Sequence, residues 1–449
     1  MSLAEENRVR AGSPHDPPQG RSVEKPSRGN GSWLYYGWVM IPVAAIAMVA
    51  TFPGRTQGLG TVTQRILADR SLGLDEASYG FLNMAATLVG AGFCLGFGRL
   101  IDRLGMRIVL PATLLGLGAA VVGMAFASNV ALFFVLLALT RGFGQSALSV
   151  ASISIPGKWF RAWLSPATAI YSVLLTIGFI VAFMIAREWS DANWRTMWMG
   201  VGLIVLAVAP LAWLLTRNGP EAVGAFLDGR SSPSAESPTE QATGVGLFRA
   251  MATIDFWVFA GATSLYATIS SGISLFNESI LVTLGFEKQL YYDSMMIAIG
   301  FGLLGNFATG LAAMWIPMGR LTAVGLAGLT ISLVALTQLT EVWHVYVYAM
   351  GYAFAGGMVT VVFFAVWAKR FGRRHLGSIQ GVAQMTTVVA SAIGPALFGY
   401  VFQSSGSYAP VLIALAIVSA ALAAVAFFVP ERSFAGDPSL PSTAPAGQD

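Results

Sequence analysis

The sequence predicts an all-α membrane protein, with twelve transmembrane helices in two pseudo-symmetric six-helix bundles. Three observations predict it: a scarcity of charge, twelve apolar stretches of bilayer-spanning length, and an internal repeat at a near-constant offset. Of the 449 residues, 55% are hydrophobic and only 11% are charged, and the mean hydropathy is +0.67. An ordinary soluble domain carries about 25% charged residues. A chain of this size with so few charges cannot cover a water-facing surface, so lipid is its expected solvent. The net charge of +4 is not read as nucleic-acid binding, because the basic residues flank apolar segments, the pattern that orients membrane helices. Cys94 is the single cysteine, which excludes an intrachain disulfide.

A helix needs about 20 apolar residues to cross the hydrocarbon, where only internally bonded backbone is tolerated. Twelve segments meet this requirement, roughly 36–60, 79–98, 106–127, 130–156, 163–187, 195–216, 255–283, 291–316, 320–340, 344–368, 377–402 and 408–430. Closely spaced glycines in the second (Gly90, Gly92, Gly96, Gly98) and the eighth (Gly300, Gly302, Gly305, Gly310) read as tight helix-packing positions. With both termini placed inside, nineteen Lys and Arg residues fall on the inner side. Five fall outside, and Arg55 and Arg141 lie within spans. That bias predicts cytoplasmic termini and, with abundant Gly and Ala, a bacterial inner membrane. Residues 1–32 and 433–449 read as disordered cytoplasmic tails, being polar and without an apolar stretch. Trp33, Trp38, Trp189, Trp194 and Trp343 are expected as interfacial anchors.

The longest hydrophilic interior segment separates six spans from six, dividing the chain into bundles 33–216 and 255–432 joined by a linker over 217–254. Short anchors recur across it. Leu72-Gly73-Leu74-Asp75 answers to Leu284-Gly285-Phe286-Glu287 at an offset of 212, Gly98-Arg99-Leu100 to Gly310-Leu311-Ala312 at 212, and Lys158-Trp159-Phe160 to Lys369-Arg370-Phe371 at 211. Two six-span halves keep one orientation, so the repeat is parallel, about an axis along the membrane normal. Such a pair places a substrate at the interface and works by rocking one half against the other.

Between spans two and three stands Gly98-Arg99-Leu100-Ile101-Asp102-Arg103-Leu104-Gly105-Met106-Arg107. Gly98 allows close approach, Gly105 a sharp reversal, and Asp102 can sit at a neighbouring helix N-terminus while Arg103 and Arg107 meet carboxylates or lipid phosphates. The segment resembles the signature loop of the major facilitator superfamily, and Arg141-Gly142-Phe143-Gly144-Gln145 resembles that family's fourth-helix motif. The resemblance implies a transporter in which Gly98, Asp102, Arg103, Gly105 and Arg107 form a cytoplasmic gating latch for the outward-open state. In the second half Met314 stands where Asp102 would map, so that latch is degenerate.

A series of further segments is similar to the monocarboxylate porter and oxalate–formate antiporter branch. These are Tyr36-Gly37-Trp38, Pro156-Gly157-Lys158-Trp159-Phe160, Asn193-Trp194-Arg195, Gly219-Pro220-Glu221-Ala222-Val223-Gly224 and Asp255-Phe256-Trp257. That resemblance implies a cation on the first span near Arg55. The basic residue that the branch commonly carries in span eight or eleven is missing, since 291–315 and 377–400 contain no Lys or Arg.

An ionisable residue inside a span costs roughly 2.5–3.5 kcal/mol on insertion scales, so it normally faces a cavity or a partner. Arg141 near the middle of span four is read as a cavity residue, against a structural bond to carbonyls. Arg55 follows Pro53-Gly54, which can break the helix and aim the guanidinium inward; the competing reading is snorkelling at the outer surface. Glu278 is the candidate for proton coupling or gating, against an exposed interfacial acid. By resemblance spans one, four, seven and ten line the path, which adds Gln57, Gln145, Tyr266, Asn277 and Tyr352 as substrate-binding candidates. The expected function is secondary active transport of a small organic anion, a monocarboxylate by resemblance, coupled to protons or anion exchange. The alternatives are a proton-coupled exporter of drugs or amphipathic metabolites and a non-transporting sensor. No GxxxxGK[ST] loop occurs, and the three histidines are scattered, so neither ATP-driven pumping nor an enzyme is expected. No cofactor, metal or nucleic-acid partner is expected, and the chain is read as a monomer.

Overall fold

A computed structural model describes residues 35–189, 193–229 and 244–430. The two predicted tails and the middle of the predicted linker lie outside the described residues. Eleven helices among the described residues are long and apolar enough to cross a membrane, and a shorter apolar helix, α1 (Gly37–Val49), precedes them. The first span, expected over 36–60, is broken at Pro53-Gly54, where the sequence allowed a break. Pro53, which cannot donate to a preceding carbonyl, opens a 3₁₀ turn at Phe52–Gly54, and Arg55 is extended at φ −98°, ψ 155°. The chain then restarts as α2 (Thr56–Gly60) and α3 (Thr63–Leu67).

The remaining elements follow in chain order. They are α4 (Glu76–Leu104), α5 (Met106–Met124), α6 (Val130–Thr140), a π-helical stretch (Arg141–Leu148), α7 (Ser149–Trp159), α8 (Leu164–Glu188) and α9 (Trp194–Leu215). After the short α10 (Leu247–Met251) come α11 (Ile254–Thr283), α12 (Lys288–Ala312), α13 (Met318–Leu336), α14 (Val342–Phe371), α15 (Leu376–Ser405) and α16 (Ala409–Phe427). Side-chain caps start several of them: Asp75 accepts from the Ser78 N–H at 2.8 Å and Asn129 from the Leu132 N–H at 2.9 Å, satisfying donors that the helix cannot. Span four is one apolar rod of α6, π turn and α7. Its π stretch carries Arg141 and Gln145, and π segments interrupt helices mostly where a site needs a side chain re-aimed.

The repeat is written into the helix starts. An offset of 212 relates Glu76 to Lys288, Met106 to Met318, Val130 to Val342, and Leu164 to Leu376. Gly73 and Gly285, also 212 apart, both take positive φ (57° and 90°) at the turn before α4 and α12, a conformation that costs glycine little.

Packing divides the molecule along the helix axes. One large apolar cluster runs through both halves, with Ile101, Trp159 and Tyr171 from the first and Phe364, Trp367 and Ile379 from the second. It runs the length of the first half, from Ile66 and Trp194 to Ile101, but its second-half members lie where α4 ends and α15 begins, hereafter the Asp102 end. A separate cluster of Ile273, Leu281, Leu336, Val345 and Phe398 belongs to the second half alone, at the opposite end. The apolar core is thus continuous between the halves at the Asp102 end and separate at the other. One expected anchor is corrected: Trp194 is only 4% exposed, packs edge-on to Phe133 and donates from Nε1 to Asp69 at 3.0 Å, so it is a core residue rather than an interfacial one.

Candidate translocation site

The broken first span positions the centre of the site. A Cβ on Gly54 would stand 2.6 Å from the Thr140 carbonyl oxygen and 3.0 Å from the Cα of Gly144. Only glycine lets the 3₁₀ turn lie this close to span four. That contact brings two arginines to one region from two elements.

Arg141 is 1% exposed. Its Nε and Nη2 donate to Asn83 Oδ1 at 3.2 and 2.6 Å, and its Nη1 donates to the Gly54 carbonyl at 3.1 Å, to Thr56 Oγ1 at 3.3 Å and to Gln145 Oε1 at 2.9 Å. It therefore ties span four to the restart of span one and to span two. Arg55 is half-buried and turned inward. Its Nε donates to Thr51 Oγ1 at 2.7 Å, its Nη2 lies 3.0 Å from Met48 Sδ and 3.3 Å from Ser149 Oγ, and the Phe179 ring sits 5.3 Å from the guanidinium. Nη1 of Arg55 has no protein acceptor among the described residues. The three ion pairs found among those residues involve neither arginine: Arg195–Asp69, Arg370–Asp255 and Arg373–Glu221. Both cations are held by neutral acceptors.

Gln145 carries the site across to the second half. Its Nε2 lies 3.5 Å from Ser391 Oγ, and Gln384 Nε2 donates to its carbonyl at 3.4 Å. Closer to the Asp102 end, Gln380 bonds both Ser154 Oγ and the Ile153 carbonyl. These amides on α15 form a ladder against span four. Gln57 falls in α2, but its side chain lies outside the description.

The second-half candidates lie in a group that is aromatic and hydroxylic. Tyr266 packs its hydroxyl against Gly356 beside Ser270 and Thr360. The Tyr352 ring stacks on Tyr348 at 5.9 Å, and the Tyr348 hydroxyl reaches Asn277 Oδ1 at 3.5 Å. Glu278 follows in the far part of α11 and is half-buried. The structure thus gathers Arg55, Arg141 and Gln145 into one bonded group, and Tyr352 and Asn277 into another through Tyr348.

At the Asp102 end, the Asp102 carboxylate accepts from the N–H groups of Gly377 at 2.9 Å and Ser378 at 2.7 Å and from Ser378 Oγ at 2.7 Å. It caps the start of α15, where the helix dipole favours an anion. A Cβ on Gly98 would come 2.5 Å from the Gly377 carbonyl oxygen. Gly105, at φ 81°, ends α4. Arg103 and Arg107 are not drawn to α15: Arg103 is exposed, and Arg107 donates its N–H to Asn218 Oδ1 at 2.9 Å and lies over Trp213 at 5.6 Å. A second capping carboxylate, missed from sequence, is Asp228 after span six. It accepts from the N–H groups of Arg161, Ala162 and Trp163 at 3.1, 2.9 and 3.2 Å, just before α8. Asn83 and Thr51 were also missed. Their signal was only a neutral polar residue in an apolar stretch, shared by many positions.

A protein of Thermoproteus tenax described as an uncharacterized 38 kDa protein in a 23S RNA operon is 26% identical over 386 residues, 84% of this chain and 89% of its own length. A protein of Arabidopsis thaliana named as glycerol-3-phosphate transporter 3 is 23% identical over 68% of this chain and 67% of its own. Among solved structures, the Escherichia coli transporter FucP in its outward conformation matches with a TM-score of 0.64 at 16% identity, covering 88% of this chain and 99% of that one. The human organic anion transporter MFSD10 matches at 0.62 and 15% identity, covering 88% and 97%. These two share the fold. The sequence model of the Major Facilitator Superfamily matches residues 35–386, and the chain, a multi-pass membrane transporter rather than an enzyme, belongs to that superfamily.

Proposed function

We propose that this transporter moves a small organic anion, a monocarboxylate foremost, by alternating access between two six-helix halves. The observation that carries this reading is the pair Arg55 and Arg141, two cations at membrane depth held only by neutral acceptors. Such charges are costly in an apolar surround unless an anion joins them. Arg55 keeps Nη1 for a carboxylate, to which a guanidinium donates strong, directional bonds. Arg141 spends its donors on the protein and holds the broken span in place. The likeness to the Arabidopsis protein named as a glycerol-3-phosphate transporter supports extending the anion class to a phosphate ester. Transport is coupled by exchange of one anion for another or by a proton, for which Glu278 is the candidate carrier.

In this reading the halves are 33–216 and 255–432, joined by the linker 217–254. The Asp102 end and both termini face the cytoplasm of a bacterial inner membrane, so the described state is open outward. The chain acts as a monomer, with Gly98, Asp102, Arg103, Gly105 and Arg107 as its gating loop. Purified protein in liposomes is expected to accumulate labelled lactate, oxalate or glycerol 3-phosphate by counterflow or under an acid-outside gradient. Arg55→Gln is expected to abolish that uptake while Arg55→Lys retains part of it. Full uptake by Arg55→Gln would overturn the assignment. A second reading, export of amphipathic compounds by proton antiport, is favoured by the wall of Tyr266, Tyr348 and Tyr352. Dye efflux from loaded vesicles that is indifferent to carboxylates would select it.

A further inference from the structure

We infer that Asn83 sets the charge selectivity of the site by holding Arg141 without neutralising it. This inference rests on the anion reading above. Asn83 Oδ1 receives both Nε and Nη2 of a guanidinium that is 1% exposed, at 3.2 and 2.6 Å. A carboxylate is the usual partner for that edge of a buried arginine. An Asn amide oxygen occupies nearly the same place as an Asp carboxylate oxygen and accepts the same bonds, but it carries no charge. The remaining acceptors of Arg141, the Gly54 carbonyl, Thr56 and Gln145, are neutral as well. The geometry of an ion pair is present, and its cancellation of charge is not.

The consequence is electrostatic. Charges in a partly buried site are screened far less than in water, so the Arg141 charge reaches a ligand that it does not touch. Gly54 and Thr56, which Arg141 bonds, flank Arg55 in sequence. Asn83 thus acts as a positioning residue for Arg141, and through Arg141 for Arg55, while leaving two positive charges for the incoming anion.

Asn83→Asp separates position from charge, because it keeps the shape and improves the acceptor. In proteoliposomes, with radiolabelled oxalate and lactate as probes, the variant is expected to raise the apparent KM for both by about tenfold or more, the scale of one unit charge a few ångströms away in such a site. The rise is expected to be larger for the dianion oxalate than for the monoanion lactate. Its thermal midpoint in detergent is expected to equal or exceed that of the unaltered protein, which shows that the fold is kept. A purely structural Asn83 predicts an unchanged KM and an unchanged oxalate-to-lactate ratio, and that result would overturn the inference alone. Absence of uptake of either anion by the unaltered protein overturns the anion reading and this inference with it.

Discussion

At the Asp102 end, α15 begins with Gly377 and Ser378, whose N–H groups meet a carboxylate from α4. Its repeat partner α8 carries Ser165 and Pro166 at the matching positions, and the turn after α12 offers Met314, 42% exposed, where Asp102 would be. Proline has no N–H to give. The α8 start is capped instead by Asp228, reaching back from the segment after span six to the N–H groups of residues 161–163. Gly98 and Gly310 still make equivalent close approaches, to Gly377 and to Ser165 with Ala169. The backbone repeat has therefore outlived its chemistry. One half-to-half seam is latched by a charge on a helix end; across the other, α8 against α12, no side-chain hydrogen bond is found among the described residues.

The sharpest way to break that comparison is Asp102→Asn. It removes the charge from the α15 start and leaves at least one donor without its acceptor, a loss of about 1–3 kcal/mol for the closed end. In a Cys94→Ala background, spin labels at Leu104 and Arg374 are expected to move apart in a larger fraction of molecules, and uptake is expected to fall. An unchanged distance distribution would mean that packing, not the carboxylate, holds the seam.

A middle-sized effect is expected at Asp228. Asn tolerates the left-handed backbone found there (φ 58°), so Asp228→Asn removes charge with little strain, at about 0.5–1 kcal/mol. The thermal midpoint is expected to drop slightly while the label distance across the Asp102 seam stays fixed. The reciprocal change, Met314→Asp, is expected to stabilise the closed end less than Asp102→Asn destabilises it, because Pro166 supplies no donor. Equal and opposite effects would refute the asymmetry.

The smallest effect concerns the far end of the first half. Burial raises the pKa of the Asp69 carboxyl, but hydrogen bonds from Ser71 and Trp194 and the charge of Arg195 outweigh it and hold the group at about 2 against an ordinary 3.8. A depressed carboxyl contributes stability above its unfolded pKa and loses it as pH falls through the folded one. The thermal midpoint is thus expected to decline between about pH 4 and pH 2. Asp69→Asn is expected to start lower at neutral pH and to decline less steeply over that window.

Much of the fold was legible because lipid imposes it. Spans, their number and the 212-residue repeat follow from apolar length and turn glycines, which act locally along the chain. The Asp102 loop was legible for the same reason, since its glycines and carboxylate are contiguous. The fates of Arg55 and Arg141 were not. Each was one charge in an apolar run, and sequence spacing does not say which of several polar neighbours a guanidinium will meet. Asn83 and Arg141 lie 58 residues apart, and Asp228 reaches Arg161 over 67. The break in the first span was legible as an option at Pro53-Gly54, but Pro42, Pro111 and Pro395 lie inside unbroken helices, so proline alone did not fix it.

The sequence by itself determined that this chain lives in a membrane, crosses it repeatedly with a 212-residue internal repeat and carries a charged loop after its second span, because hydropathy and local turn chemistry are properties of neighbouring residues. The tertiary structure alone decided at which end the two halves share one apolar core, and that Arg55 and Arg141 are held by neutral acceptors rather than by acids. Those outcomes depend on which distant helices are brought into contact, and pairing across tens of residues leaves no periodic mark on a single chain.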